Sequence, residues 1–154
     1  MKHARLIALI LITLLVLATG APLATAAKIE NIRWFSYEEG FEKAKKEGKK
    51  IYILFFSDYC KYCKEMDATT FSDREVVEML NEEFVAIRVN PDKEYKIAYK
   101  YNIRPVPDNW FLDEKGGRVF RELGFMDANR LESVLNQVQN GKKHLKASVT
   151  SAKH

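Results

Sequence analysis

The chain has two cysteines, Cys60 and Cys63, and they follow closely on an apolar stretch at residues 51–56. This stretch predicts a buried strand, because its apolar character is almost continuous. The residues after Cys60 predict a helix. A thiol pair at such a strand-to-helix junction can open and close a disulfide with little backbone movement. The free amide groups at the start of the helix also favour the thiolate, which is the reactive form.

The N-terminus has the pattern of an export signal. Lys2 and Arg5 form its charged region, residues 6–17 are apolar except for one threonine, and the small residues at 24–26 suit cleavage before Ala27. The apolar part is short for a membrane span, which needs roughly 20 residues. We therefore expect a cleaved signal, with an uncleaved membrane anchor as the alternative. Such a chain acts outside the cytoplasm, in the periplasm or beyond, where disulfides persist.

The rest of the chain has the size of one domain. Removing the predicted signal, residues 1–26, leaves 128 of the 154 residues. We predict a globular domain over 27–141 and a polar, lysine-rich tail over 142–154. Without the two basic residues of the signal, the formal net charge falls from +4 to +2. The lysines alternate with acidic residues, as in 42–47, which indicates a solvated helix face and argues against nucleic-acid binding.

Alternating strand and helix patterns predict an α/β fold. Capping residues and apolar periodicity predict helices over 36–47, over 60–68, from Ser72 onwards, over 95–101 and over 127–141. Apolar runs predict strands over 50–56, 84–89, 110–112 and 119–123. A tight turn joins the last two strands as a hairpin. This order predicts a central mixed β-sheet with helices on both faces.

Within this framework the sequence resembles the thioredoxin superfamily over nearly all of residues 30–140. The resemblance is based on the Cys-x-x-Cys pair after its strand, on Val106-Pro107 before the next strand, on the 111–117 segment with its glycine turn, and on the final helix. Parts of 37–49 and 70–85 are similar to exported thioredoxin-like proteins, a subgroup that includes the C-terminal domain of DsbD-type interchange proteins and SoxW-like thioredoxins. The resemblance implies a thioredoxin fold and a thiol–disulfide oxidoreductase that requires no cofactor.

The resemblance also assigns roles to the cysteines. Cys60 is the nucleophile, and Cys63 is the resolving thiol that attacks the mixed disulfide and releases the substrate. Lys61 and Lys64 add positive charge near the first thiolate.

Two other uses of the cysteine pair remain open from the residues alone. The first is an inert bridge, although a disulfide that closes so short a loop stabilises little, because the entropic effect grows with loop length. The second is half of a zinc site. Structural zinc takes four ligands, and the three histidines of the chain lie towards its ends, at His3, His144 and His154. We therefore predict no metal.

The residues around the pair have expected roles as well. Pro107 matches the cis-proline that faces the active site in the superfamily, and Val106 would then offer its backbone to an extended substrate segment. Pro105 is expected to be an ordinary trans residue. Tyr59 and Tyr62 flank the cysteines and could form an apolar rim that receives the substrate, with ordinary exposed tyrosines as the alternative.

The sequence departs from thioredoxin at several positions. Leu54 occupies the place of a buried acid that assists the resolving thiol, so that role must pass to water, Glu65 or another group. Lys61-Tyr62 replaces the usual Gly-Pro, and Tyr59 replaces a tryptophan. Asp108-Asn109 follows Pro107 where a threonine and an apolar residue are usual, which weakens the prediction of a strand at these two positions and suggests an altered substrate groove.

The expected activity is the reduction of disulfides in protein substrates, with electrons from a membrane thiol carrier. This direction follows from the subgroup that the sequence resembles. A disulfide oxidase or isomerase is the alternative within the class, and a non-catalytic peptide-binding module of the same fold is the alternative outside it. The sequence has no large unexplained apolar stripe, which favours a monomer.

Overall fold

A computed structural model describes residues 31–141, so the predicted signal peptide and the predicted tail lie outside the described part of the chain. The strands are β1 (Trp34–Phe35), β2 (Lys50–Phe55), β3 (Phe84–Val89), β4 (Asp108–Leu112) and β5 (Arg118–Leu123). The helices are α1 (Tyr37–Glu47), α2 (Lys61–Ala68), α3 (Arg74–Glu82), α4 (Tyr95–Lys100) and α5 (Ala128–Gln139), with a 3₁₀ helix at Thr70–Ser72. Among the described residues, none of the helices has the length and apolar character needed to cross a membrane.

The strands form one mixed sheet in the order β1-β3-β2-β4-β5. The pairs β1–β3 and β2–β3 are parallel, whereas β2–β4 and β4–β5 are antiparallel. The sequence missed β1, because a two-residue strand is too short to show a periodic pattern. The predicted mixed sheet is confirmed, and β2 lies at its centre.

Side chains of β2 alternate between two separate apolar clusters, which explains the continuous apolar character of this strand. Tyr52 and Leu54 belong to a cluster that includes residues of α2, α3 and α5. Ile51, Ile53 and Phe55 belong to a second cluster, on the opposite face, with residues of α1 and α4. Helices therefore cover both faces of the sheet, as predicted.

Most helix bounds agree with the sequence patterns within two residues, but α3 begins differently. The pattern placed its start at Ser72, which instead belongs to the 3₁₀ helix. Asp73 is the N-cap, and its Oδ1 accepts a hydrogen bond of 3.1 Å from the Val76 N–H. The Asp73 carboxylate thus caps the helix in place of the Ser72 hydroxyl, and aspartate and serine are about equally good N-cap residues.

The start of β4 also corrects the sequence analysis. Asp108 and Asn109 were expected to weaken a strand, yet β4 begins at Asp108, and these residues pair with Phe55 and Leu54 of β2. Both polar side chains are fully buried. The partners that make this burial possible come from β2, from β5 and from the segment after β5, and the sequence pattern gives no sign of them.

Candidate redox site

Cys60 and Cys63 form a disulfide at the start of α2, with their Cα atoms 5.3 Å apart. Cys60 is the N-cap residue, and its Sγ accepts a hydrogen bond of 3.1 Å from the Cys63 N–H. Cys60 is partly exposed, whereas Cys63 is fully buried. An incoming group can therefore reach the sulfur of Cys60 but not that of Cys63. A thiolate at Cys60 would have the same N–H as a donor and the positive end of the helix dipole behind it.

Val106 and Pro107 lie beside the disulfide. The Val106–Pro107 peptide bond is cis, as the resemblance predicted, and among the described residues it is the one cis bond, so Pro105 is trans as expected. The Sγ atom of Cys60 lies 3.6 Å from the Val106 carbonyl oxygen. Val106 is partly buried and Pro107 is buried. The fold thus brings together the two motifs that the sequence analysis singled out separately.

Three exposed aromatic side chains, which we call the aromatic rim, lie next to the cysteines in the sequence or beside such a neighbour in the fold: Tyr59, Tyr62 and Phe125. Tyr59 is 92% exposed and Tyr62 is 57% exposed. The Tyr62 ring lies 6.5 Å, between centroids, from the ring of Phe125, which is 38% exposed and which the sequence analysis did not single out. Phe125 is held near the site because Gly124 N–H donates to the Pro107 carbonyl at 2.8 Å. One indication of this contact was present in the sequence, namely an apolar residue between the end of β5 and the N-cap of α5.

The polar residues that follow Pro107 are fully paired. The Asp108 carboxylate receives two hydrogen bonds from Arg121, Nε to Oδ1 at 2.9 Å and Nη2 to Oδ2 at 2.6 Å. The hydrogen bond to Asp108 raises the pKa of Arg121. The guanidinium also lies 4.8 Å from the centre of the Trp110 ring. This bidentate geometry is the strong form of a carboxylate–arginine pair.

Asn109 uses its whole amide group. Its Oδ1 accepts from the Tyr52 hydroxyl at 2.7 Å, and its Nδ2 donates to the carbonyls of Glu122 at 3.1 Å and Gly124 at 2.9 Å. Burial raises the pKa of the Tyr52 hydroxyl, which therefore stays protonated. Asn109 links the central strand to the segment that carries Phe125, so a buried side chain holds part of the rim in place.

The turn before Cys60 is tied to the turn after β3. Ser57 Oγ donates to Asp92 Oδ2 at 2.9 Å, and Lys93 Nζ donates to Asp58 Oδ2 at 2.9 Å. The side-chain amide of Asn90 also donates to Asp58 Oδ2, at 3.3 Å. The sequence analysis took residues 90–92 only as a break after β3. Nothing in the sequence shows that these residues contact the cysteine turn.

Lys61 and Lys64 are exposed on the first turns of α2. Within residues 31–141 neither lysine belongs to an ion pair. Neither positive charge is therefore paired with a carboxylate in this part of the chain. No group of histidine, cysteine, aspartate or glutamate suited to a metal ion occurs among the described residues.

Comparison with known proteins assigns the family. Residues 37–139 match the family described as the thioredoxin-like domain. The chain belongs to this thioredoxin-like family. Its members include thiol–disulfide oxidoreductases, and the disulfide of Cys60 and Cys63 has the place that this chemistry requires. The predicted thioredoxin fold and the predicted enzyme class are thereby confirmed.

Individual relatives agree with the family assignment. The chain is 32% identical over 98 residues to the thiol:disulfide interchange protein DsbD of Actinobacillus pleuropneumoniae serotype 5b (strain L20), which covers 60% of this chain and 17% of that protein. The similar protein of Photorhabdus laumondii is 30% identical, and 16% of it is covered. The thioredoxin-like chain thus spans about a sixth of the length of these curated relatives.

Solved structures show the same fold. A thioredoxin from Thermus thermophilus has a TM-score of 0.65 at 29% identity, covering 71% of this chain and 88% of that chain. The reduced C-terminal domain of DsbD from Neisseria meningitidis has a TM-score of 0.57 at 24% identity, covering 65% and 91%. The second likeness supports the fold alone.

One departure from thioredoxin has a clear structural outcome. Leu54, at the place of the expected acid, is fully buried, and its cross-strand partner is Asn109. The side chain opposite Leu54 on β4 is therefore the amide of Asn109. This amide already makes hydrogen bonds to the Tyr52 hydroxyl and to the carbonyls of Glu122 and Gly124. Glu65, which the sequence analysis considered as a substitute acid, is exposed on α2.

Proposed function

We propose that this chain is an extracytoplasmic thiol–disulfide oxidoreductase that reduces disulfides in protein substrates with electrons from a membrane thiol carrier. The main observation in support is that the two cysteines differ in exposure. Cys60 is partly exposed beside the Val106 carbonyl, and Cys63 is fully buried in the first turn of α2. This asymmetry supports distinct roles for the two sulfurs. The similarity to proteins named for thiol:disulfide interchange supports the reductive direction.

The reaction begins with the reduced chain. The Cys60 thiolate attacks one sulfur of the substrate disulfide, so the substrate S–S bond breaks, a mixed disulfide forms and one substrate thiolate leaves. The Cys63 thiolate then attacks the Cys60 sulfur, which breaks the mixed disulfide, forms the Cys60–Cys63 bond and releases the second substrate thiolate. Two electrons pass to the substrate, and the two protons of the dithiol end on the substrate thiols. A carrier dithiol restores the starting state by the same exchange.

The surroundings of Cys60 support a peptide substrate. The backbone of Val106 can pair with an extended segment, as an added strand does. Tyr59, Tyr62 and Phe125 offer apolar surface to the side chains of that segment. Pro107 supports this surface through the hydrogen bond from Gly124.

The direction of electron flow is tested by the redox potential of the pair. A reductase is expected near the value of thioredoxin, about −270 mV, whereas a value near −120 mV would indicate an oxidase. The wild-type chain is equilibrated with glutathione or dithiothreitol buffers, and the free thiols are counted by alkylation and mass spectrometry.

The roles of the two sulfurs are tested by paired variants. Cys60→Ser is expected to abolish the reduction of insulin disulfides, while Cys63→Ser is expected to accumulate a mixed disulfide with its physiological partner. Identifying that partner by mass spectrometry names the substrate or the electron donor. If Cys60→Ser retains the activity of the wild type, the hypothesis of a non-catalytic binding module explains the protein better than the oxidoreductase hypothesis does. Export is tested separately by sequencing the N-terminus of the mature protein, which is expected to begin at Ala27.

A further inference from the structure

The turn that precedes Cys60 is held by a second turn from a distant part of the chain. The second turn, Asn90 to Glu94, is closed on itself: Lys93 N–H donates to the Asn90 carbonyl at 3.0 Å, and the Asn90 side chain accepts from Asp92 N–H at 3.0 Å. Asn90 is only 4% exposed, and its own N–H donates to Glu94 Oε1 at 3.0 Å. The residues that contact the cysteine turn are therefore held in a fixed arrangement.

Two side chains of this second turn donate hydrogen bonds to the Asp58 carboxylate. Lys93 Nζ lies 2.9 Å from Asp58 Oδ2, and the Asn90 amide nitrogen lies 3.3 Å from the same oxygen. The hydrogen bond from Lys93 lowers the pKa of Asp58, and the same bond raises the pKa of Lys93. Both groups are charged at neutral pH, so the pair carries no net charge.

Asp58 lies two residues before Cys60, so their Cα atoms are at most about 7 Å apart. Charges carried a few ångströms beyond the backbone still interact, because the screening length at physiological salt is about 8 Å. A carboxylate without a partner at this distance would disfavour a thiolate. The other ionisable groups on the elements near the sulfur are Tyr59, Lys61, Tyr62, Lys64, Glu65, Asp67, Arg88, Asp92, Glu94 and Arg104, of which Asp67 and Arg88 pair with each other.

We propose that Lys93 is a positioning residue for this site: by pairing with Asp58, and together with Asn90, it holds the turn before Cys60 and removes the repulsion between the Asp58 carboxylate and a Cys60 thiolate. The inference rests on the proposed role of Cys60 as the nucleophile. Lys93 lies 33 positions after Cys60 in the chain and affects it through Asp58. Lys61 and Lys64 then act on a sulfur whose nearest acidic neighbour in sequence is already neutralised.

The two halves of the pair predict effects of opposite sign. Lys93→Met removes the ion-pair partner of Asp58, although Arg88 and Lys64 remain nearby. The alkylation of Cys60 at neutral pH should therefore slow about threefold, and the potential should become more negative. Asp58→Asn leaves Lys93 without an anion, so alkylation should accelerate by a similar factor and the potential should become less negative. The double variant should return close to the wild type.

The measurement uses the reduced full-length chain. The rate of iodoacetamide labelling at Cys60 is followed by mass spectrometry across pH, and the potential is measured in parallel. Lys43→Met is the matched control, because Lys43 forms a comparable lysine–glutamate pair with Glu47 on α1. At about 1 M salt, where the screening length is about 3 Å, the differences between variants should shrink.

Two results would overturn the proposal. One is that Lys93→Met and Asp58→Asn change the labelling rate in the same direction, which a loss of local structure would produce. The other is that either variant matches the wild type and Lys43→Met. The labelling rate does not depend on any substrate, so a failure of the proposed reductase activity would show up independently, as absent insulin reduction by the wild type.

Discussion

The sulfur of Cys60 lies 3.6 Å from the carbonyl oxygen of Val106, 46 positions further along the chain. In the proposed reaction, a substrate disulfide that reaches this sulfur therefore comes close to the Val106 carbonyl. The position of this backbone depends on the residues that directly follow it, since Asp108 and Asn109 anchor the first residues of β4. The stability of these polar anchors and the binding of substrate are thus expected to be linked.

Arg121→Met should destabilise the fold by about 3 kcal/mol, because it leaves the buried Asp108 carboxylate without its partner. Urea denaturation of the oxidised chain measures the change in the free energy of unfolding. Arg118→Met is the control, since Arg118 also lies against Trp110, at 5.6 Å, but pairs with no carboxylate in the described residues. Equal losses in the two variants would show that stacking, and not the ion pair, is what matters.

Asn109→Leu should cost about 3 kcal/mol, since it removes the acceptor of the Tyr52 hydroxyl and the donor to two carbonyls. The freed segment after β5 should also raise the KM for a protein disulfide. The rate with a small disulfide such as oxidised glutathione should change much less. Unchanged stability would mean that water replaces the amide in this position.

Phe125→Ser should lower kcat/KM for protein disulfides about fivefold and lower the free energy of unfolding by only about 1 kcal/mol, because 38% of the residue is already exposed. Tyr99→Ser is the matched control, as Tyr99 is 90% exposed on α4. Assays with insulin measure the loss. The rim assignment fails if Tyr99→Ser reduces turnover as much as Phe125→Ser does.

Alkaline pH should destabilise the protein through Tyr52. Burial raises the pKa of this hydroxyl above its usual value of about 10, so the unfolded chain loses this proton before the folded one does. The stabilising contribution is complete below about pH 10 and is lost as the pH rises further. Urea titrations of the oxidised chain should show a slope above pH 10 that is steeper, by up to about 1.4 kcal/mol per pH unit, than in Tyr52→Phe. Parallel slopes would contradict this assignment.

The sequence was sufficient for those parts of the site that depend on local pattern. The strand before Cys60, the helix after it and the cis bond before Pro107 all followed from short motifs or from the family resemblance. Tyr62 lies in the rim where the motif placed it, although its role stays a prediction.

The parts that the sequence did not reveal depend on long-range pairing. Asp108 and Asn109 look unsuited to a buried strand until Arg121, Tyr52 and the Gly124 carbonyl are brought to them by the fold. Lys93 looks like one more surface lysine until its turn is placed beside Asp58. Such partners are separated by 13 to 57 positions, and no local periodicity encodes them.

The two apolar clusters on opposite faces of the sheet have a consequence for the contact between Cys60 and Val106. The helix of the cysteines is anchored through Met66 in one cluster, whereas Val106 packs against the other. This contact therefore joins two layers that are packed separately. A substitution in the core of either layer can therefore shift the sulfur relative to the carbonyl without a change in Cys60 or Val106.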